Sequence, residues 1–235
     1  MIEFRSVSFG YGEETDLADV SLRIDDGEFV LLAGPNGSGK STLLGHCNGL
    51  LTPDAGSVLV DGTPVEEDPV GARTTVGMVF QHPRDQFVAA TVGDDVAFGP
   101  ENLGLSREAI DRRVAESLET VGLDGRERER IDTLSGGEQS RLAIAGCLAM
   151  RPDHLLLDEP FTGVDDLARQ TIQAHLEELA AAGTGVVVAT HDLRDLLGLA
   201  DRVLGMADGQ VVVDAAPEDA GEELAAIGVR LPEPC

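Results

Sequence analysis

The sequence predicts an α/β fold. Its main feature is a mainly parallel central sheet, with an antiparallel β region at the N-terminus and a helical region inserted in the middle. Three observations carry this reading. The first stretch of the chain alternates apolar and polar residues, as half-buried antiparallel strands do. Three short apolar runs, "FVLLAG", "HLLLDEP" and "GVVVATHD", have the continuous character of strands buried on both faces. Between these runs lie segments with apolar residues three or four apart, the spacing of a helix face.

Taken in order, Ile2, Phe4, Val7 and Phe9 are apolar with a slip in phase after Arg5, and Val20, Leu22 and Ile24 alternate strictly. "FVLLAG" (29–34) enters a glycine-rich loop, and "STLLGHCNGL" continues as a helix. "SVLVDGTPV" (57–65) reads as strand, Asp-Gly turn, strand. In "REAIDRRVAESLETVGL" (107–123), Ile110, Val114 and Leu118 stand four apart, so a helix is expected. "GEQSRLAIAGCLAM" is a second helix, stopped before Pro152. "DLARQTIQAHLEELAAAG" places Ala168, Ile172, Leu176 and Leu179 on one face and ends at Gly183. "VLGMADGQVVVD" is a hairpin across Asp208-Gly209, and the acidic tail from Ala215 holds one short helix around Glu222 to Ile227. The expected organisation is one domain over 1–213, with a helical subdomain at roughly 82–150 inserted, and a short acidic tail over 214–235. Ligands of such a fold bind at the carboxyl ends of the parallel strands.

Composition narrows the setting. Hydrophobic residues make up 42% of the 235, but aromatics only 3%, so the core is built from Leu, Val, Ile and Ala. The formal charge is −26, which repels phosphate backbones and anionic lipid and argues against nucleic acid as a direct partner. So much uncompensated charge disfavours a compact state unless salt screens it, with a Debye length of about 3 Å at 1 M. The chain is therefore expected in a salt-adapted cytoplasm. Cys47, Cys147 and Cys235 are odd in number and far apart, as reduced cytosolic thiols would be. The N-terminal stretch lacks a signal-peptide pattern, and no apolar run approaches the ~18 residues of a membrane span. No direct membrane insertion is expected, so a membrane role would run through a partner.

The chain has a single lysine, Lys40; its other basic residues are arginines. Lys40 sits in "GPNGSGKS" (34–41), a complete G-x-x-x-x-G-K-[ST] pattern between a buried strand and a helix. Gly34, Gly37 and Gly39 let the backbone turn its N–H groups inward, and the helix start adds its dipole. Lys40 reaches the β and γ phosphates, and the Ser41 hydroxyl is a ligand for Mg²⁺. Gly34, Pro35, Asn36, Gly37, Ser38, Gly39, Lys40, Ser41 and Thr42 form the expected nucleotide site. A tightly wrapped loop needs a compact charge rather than a planar fork, which explains why this lysine alone persists. In "LLLDEP", Asp158 ends an apolar strand where an acid holds Mg²⁺, and Glu159 is free to polarise an attacking water.

"LSGGEQSR" (134–141) resembles the signature of the ABC ATPases, with Glu138 where glutamine is commoner. The resemblance covers the chain to about Val213. It implies that Ser135, Gly136, Gly137 and Glu138 serve ATP held by an opposite subunit. It also implies that Tyr11 stacks on adenine, that Gln81 in "VFQHP" touches Mg²⁺ and water, that Asp165 in "TGVDD" is the acid of the D-loop, and that His191 is the switch histidine. Gly163 stands where Ser or Ala is more usual. The remaining histidines, His46, His82, His154 and His175, are expected to be structural, and His46 beside Cys47 lacks the further ligands of a metal site. A finer likeness, in residues 79–106, is to the ATPases of energy-coupling-factor importers for cobalt, nickel or vitamins. There "HPRDQ" forms a short helix in a region that docks a membrane coupling subunit; His82 replaces the usual asparagine, and the longer C-terminal domain of many such ATPases is absent or minimal.

The implied function is ATP binding and hydrolysis energising an importer. Its cofactors would be ATP and Mg²⁺, and its partners a second ABC ATPase subunit, either another copy of this chain or a close relative, and a multi-spanning membrane subunit at the cytoplasmic face of the membrane. The alternative is a soluble ABC ATPase acting as an assembly factor in iron–sulfur biogenesis. A DNA-repair or translation role is disfavoured by the charge and by the lack of a coiled-coil insertion or second cassette.

Overall fold

The computed structural model describes residues 1–12, 14–162, 164–194 and 196–230, with all their side chains except those of Glu14, Leu167 and Ala168. The readings made above for Gly163, Ala168 and Cys235 lie outside this description. Two compact units are present: Met1–Met78 with Asp153–Glu159 and Leu179–Cys235, and Val79–Pro152 with Pro160–Glu178.

The first unit holds two sheets. Strands β1 (Ile2–Tyr11), β2 (Glu14–Ile24), β4 (Ala55–Val60) and β5 (Thr63–Pro64) form one, in the order β2-β1-β4-β5. The phase slip after Arg5 is a β-bulge: register shifts between Phe4 and Val7, and Ser6 takes a φ of 47°. Gly56 is needed opposite, because a Cβ there would lie 2.2 Å from the Ser6 carbonyl oxygen. The bulge keeps Ile2, Phe4 and Val7 all buried, facing the core with Val20 and Ile24.

The second sheet contains β3 (Phe29–Ala33), β6 (Val76–Val79), β7 (His154–Asp158), β8 (Gly185–Thr190), β9 (Arg202–Ala207) and β10 (Gln210–Ala215), in the order β10-β9-β3-β8-β7-β6. β3 pairs in parallel with β8 and β9, and β7 with β8; β10 adds an antiparallel edge. Every residue of β3, β7 and β8 is buried, as their unbroken apolar runs require. Both Asp-Gly turns have positive φ at each residue, 50° and 77° at Asp61-Gly62 and 48° and 74° at Asp208-Gly209, the pattern of a type I′ hairpin turn. Around the sheets lie α1 (Lys40–Cys47), α2 (Pro69–Thr75) and α7 (Gly221–Ala226).

The second unit is helical. It is built from α3 (Val92–Asn102), α4 (Arg107–Thr120) and α5 (Gly136–Met150), capped in turn by Thr91, Ser106 and Ser135. Ile110, Val114 and Leu118 of α4 are buried, as their spacing predicts. A further helix, α6 (Asp166–Ala181), buries Ile172 and Leu176 and belongs to this unit as far as Glu178. Gly183, just beyond it, takes a φ of 91°.

Sequence pattern does not announce α3. "VGDDVAFGPEN" carries two glycines and an internal Pro100, all poor helix formers. The glycines are there for packing: a Cβ on Gly99 would lie 2.4 Å from Met150 Sδ, and one on Gly93 3.0 Å from the Glu127 carbonyl oxygen.

Candidate functional site

The glycine-rich loop leaves the end of β3 and enters α1 at Lys40. Gly34 admits no side chain, because its Cβ would lie 2.5 Å from the Met206 carbonyl oxygen and 2.6 Å from Ser38 Oγ. Gly37 and Gly39 have φ of 80° and 99°. Gly39 is the N-cap of α1; it offers no side-chain cap, and the first turn contains no acid. No carboxylate therefore competes for the N–H groups at this helix start. Lys40 is only 6% exposed. Its Nζ donates to the carbonyl oxygens of Gly34 (2.8 Å) and Pro35 (3.0 Å), so the lysine closes the loop on itself. Burial pulls its pKa down, while the carboxylates of Glu159 and Asp158 push it back up. Ser38 Oγ is buried without a hydrogen-bond partner among the described residues. Asn36, Gly37 and Ser41 are exposed and Thr42 is half-buried.

Asp158 ends β7, buried, and Glu159 follows at a φ of 47°, a left-handed conformation that is strained for a residue with a side chain. Its N–H still donates to the Ala189 carbonyl at 2.9 Å, so the strand ladder runs one residue past β7. The Glu159 carboxylate, in a residue 8% exposed, is held twice. Thr190 Oγ1 donates to Oε2 at 3.2 Å, and His191 Nδ1 lies 2.9 Å from Oε1. A carboxylate only accepts, so Nδ1 carries the proton of that bond.

The second unit presents a different helix start. Ser135 Oγ accepts from the Glu138 N–H at 3.3 Å, while Glu138 Oε2 accepts from the Ser135 N–H at 2.7 Å, a complete capping box. The Ser135 hydroxyl thus caps its own helix. Glu138 also accepts from Arg126 Nη1 at 2.5 Å. The Arg126 guanidinium, with the Ser135 cap, holds the Glu138 carboxyl at about 2. Glutamine could not make this ion pair, which gives the departure from the commoner residue a physical reason. A Cβ on Gly136 would meet nothing within 4 Å, so the helix start is open there.

The structure thus gathers Lys40, Asp158, Glu159 and His191 in the first unit, and Ser135, Gly136, Gly137 and Glu138 at one helix start in the second. Gln81 is exposed just after β6, and Asp165 is exposed just before α6. Tyr11 is 58% exposed, edge-on to Phe9 with ring centroids 5.0 Å apart. "HPRDQ" contains a short 3₁₀ turn, Pro83–Asp85. His46 and Cys47 bond to the backbone of their own helix, at Thr42 and Leu43, and burial pushes the Cys47 thiol up to about 12. Sequence reasoning missed Thr190, Arg126 and Gln139. Arg126 stands in "GRERER", which reads as a solvated charge run; Thr190 directly precedes the histidine already singled out.

A phosphate loop between a buried central strand and a helix, with paired carboxylates ending another strand of the same parallel sheet, defines a P-loop nucleoside triphosphatase. Comparison with known proteins places it further. A family described as ABC transporter matches residues 17–162. A relative from the halophile Halobacterium salinarum, whose name places it among ABC transporter ATP-binding proteins, is 59% identical over 99% of this chain and 100% of its own length. The energy-coupling factor transporter ATP-binding protein EcfA of Methanothermobacter thermautotrophicus is 44% identical, over 92% of this chain and 71% of that one. Among solved structures, cbiO1 of Clostridium perfringens, part of the ABC transporter complex cbiONQ, has a TM-score of 0.83 at 32% identity, covering 96% of this chain and 92% of that one. A dimeric ATP-binding cassette in a post-hydrolysis state, bound to ADP and Pi, also has a TM-score of 0.83, at 30% identity over 92% of this chain and 99% of that one. The chain belongs to the ABC transporter family and is an ATP-binding, ATP-hydrolysing subunit. Among the described residues, no helix is long and apolar enough to cross a membrane.

Proposed function

We propose that this chain is the motor subunit of an importer of the energy-coupling-factor type, moving a metal ion such as cobalt or nickel, or a vitamin. It works at the cytoplasmic face of the membrane through a multi-spanning coupling subunit that docks on residues 79–106. Similarity to EcfA and to cbiO1 supports the importer class. The observation that carries the catalytic reading is the Glu159 carboxylate, held by Thr190 and His191 in the same unit as the Lys40 loop.

ATP binding begins when the phosphates replace the Gly34 and Pro35 carbonyls as partners of Lys40. Tyr11, with its ring largely open to solvent, stacks on adenine. Ser41 and Asp158 are hard oxygen donors suited to Mg²⁺, and the Asp158 carboxylate acts electrostatically on Lys40 of the phosphate loop. Gln81 would complete that set. Magnesium, when bound, neutralises phosphate charge. Glu159 accepts a proton from the attacking water, and His191 keeps its carboxylate aimed. Two copies of the chain pair so that Ser135, Gly136 and Gly137 of one meet the ATP of the other, with Asp165 near the junction. Catalysis is then positioning and charge stabilisation rather than covalent chemistry.

Affinity purification from membranes tests the importer reading. A multi-spanning protein should accompany the chain, and Asp85→Arg, on the exposed turn of the docking stretch, should release it while ATPase activity persists. Copurification with soluble iron–sulfur assembly proteins instead would favour the assembly-factor alternative.

A further inference from the structure

Gln139 is a glutamine only 4% exposed, the sixth residue of the signature stretch and unassigned by any reading above. Its side chain makes three bonds. Nε2 donates to the carbonyl oxygens of Ile131 (3.3 Å) and Leu134 (3.1 Å), the second of which immediately precedes Ser135. Oε1 accepts from Arg84 Nε at 2.9 Å. The amide has one orientation that satisfies all three. A flip would face its NH₂ toward the arginine donor and its oxygen toward two carbonyls. Arg84 and the two carbonyls therefore hold a buried amide in one orientation, Arg84 from its oxygen side, and that amide holds the backbone leading into the Ser135 cap.

The attachment reaches further along the same segment. Gln86 Oε1 accepts from the Phe80 N–H at 3.0 Å, and its Nε2 donates to the Ala143 carbonyl at 3.4 Å. The turn at 83–85 is thus tied to α5 at two places, one helical turn apart. Arg84 and Gln139 also line an open groove of 390 Å³ with Phe87, Ala90 and Ile131, so the outer end of the relay is accessible.

We infer that Arg84 and Gln139 are positioning residues for the second phosphate-binding element: Arg84 orients the Gln139 amide, and the amide fixes Leu134 and Ser135 in the geometry that receives ATP from a second copy of this chain. This rests on the proposed pairing of two copies. It also makes Arg84 a lever, because anything that moves the 83–90 segment alters the approach to Ser135 through two hydrogen bonds.

The test uses the full chain in molar KCl with Glu159→Gln as parent, so that bound ATP is not consumed. Gln139→Leu and Arg84→Ala are each added. Binding of ATP to the isolated chain is measured by calorimetry, ATP-dependent dimer formation by analytical ultracentrifugation, and amide exchange of the 131–138 peptide by mass spectrometry. Both variants should bind ATP within about twofold of the parent, need roughly tenfold more ATP to dimerise, and exchange 131–138 faster, since a buried polar group loses a partner in each. Arg84→Lys, which keeps a donor, should recover most of the dimerisation. Arg84 is exposed, so its replacement leaves the fold intact even if Gln139→Leu misfolds. Variants that dimerise and exchange like a dimerising parent overturn this inference alone. A parent that stays monomeric with ATP overturns the pairing of two copies and the inference with it.

Discussion

Helices α1 and α5 both begin at glycine-rich turns, yet the two starts are built in opposite ways. At α1 the cap is Gly39, no side chain caps the helix, no acid lies in the first turn, and the one lysine of the chain folds back on the loop carbonyls. At α5 the cap is Ser135, the capping box is complete, and Glu138 is locked to Arg126. The first start has no side-chain cap and no acid in its first turn, and carries its own cation. The second spends its serine hydroxyl and its acid on itself; among the described residues no hydrogen bond claims the N–H groups of Gly136 and Gly137. On the proposed reading, the first grips a whole triphosphate and the second touches the end of one presented to it. A helix dipole alone does not distinguish them; the cap chemistry does.

The largest effect should strike both regions together. At about 0.1 M salt the Debye length is still near 10 Å, and the −26 charge is poorly screened. Cooperative melting and ATPase activity are expected only in molar KCl or NaCl. A full melt with full activity at low salt would show that neither helix start depends on screening.

Next in size is Glu159→Gln, which should slow hydrolysis by ~100-fold or more while leaving ATP binding intact. ATP, and not ADP, should then drive a monomer-to-dimer shift on size exclusion. Wild-type turnover in this variant would remove Glu159 from the base role.

Lys40→Arg comes third. The loop that encloses this side chain is crowded at Gly34 and Gly39, so the wider guanidinium should weaken ATP binding by at least about tenfold. Affinity within twofold of wild type, measured by calorimetry, would show that charge alone suffices at α1.

The smallest effect belongs to α5. Glu138 titrates at about 2 in the folded chain against 4.5 ordinarily. A depressed carboxyl contributes its full stability above about pH 4.5 and loses it as pH falls toward 2. Glu138→Gln keeps an acceptor for the Ser135 N–H but removes the charge that faces Arg126, so it should cost about 0.5 kcal/mol near neutrality, the scale of a partly exposed ion pair. It should also flatten the acid limb of the thermal-melt profile between pH 4.5 and 2. An unchanged limb would mean that the Arg126 pair contributes nothing in molar salt.

Much of this was legible in the chain itself. The three buried strands announced themselves as unbroken apolar runs, because a strand covered on both faces has no polar side to show. Both Asp-Gly turns were readable because few residue pairs tolerate two positive φ angles in succession. The phase slip after Arg5 forecast the bulge at Ser6. The phosphate loop could be read from glycine spacing and a lone lysine, since backbone geometry there admits few substitutes. Tertiary structure alone decided the rest. That Gly93 and Gly99 belong inside a helix depends on Glu127 and Met150 pressing against it, partners distant in sequence. That Glu138 pairs with Arg126, that Thr190 and His191 hold Glu159, and that Gln139 answers to Arg84 all depend on which side chains the fold brings within 3 Å or so. Periodicity records which face of an element is buried; it carries no record of the polar partner waiting there, because a hydrogen bond is satisfied by position in space and not by spacing along the chain.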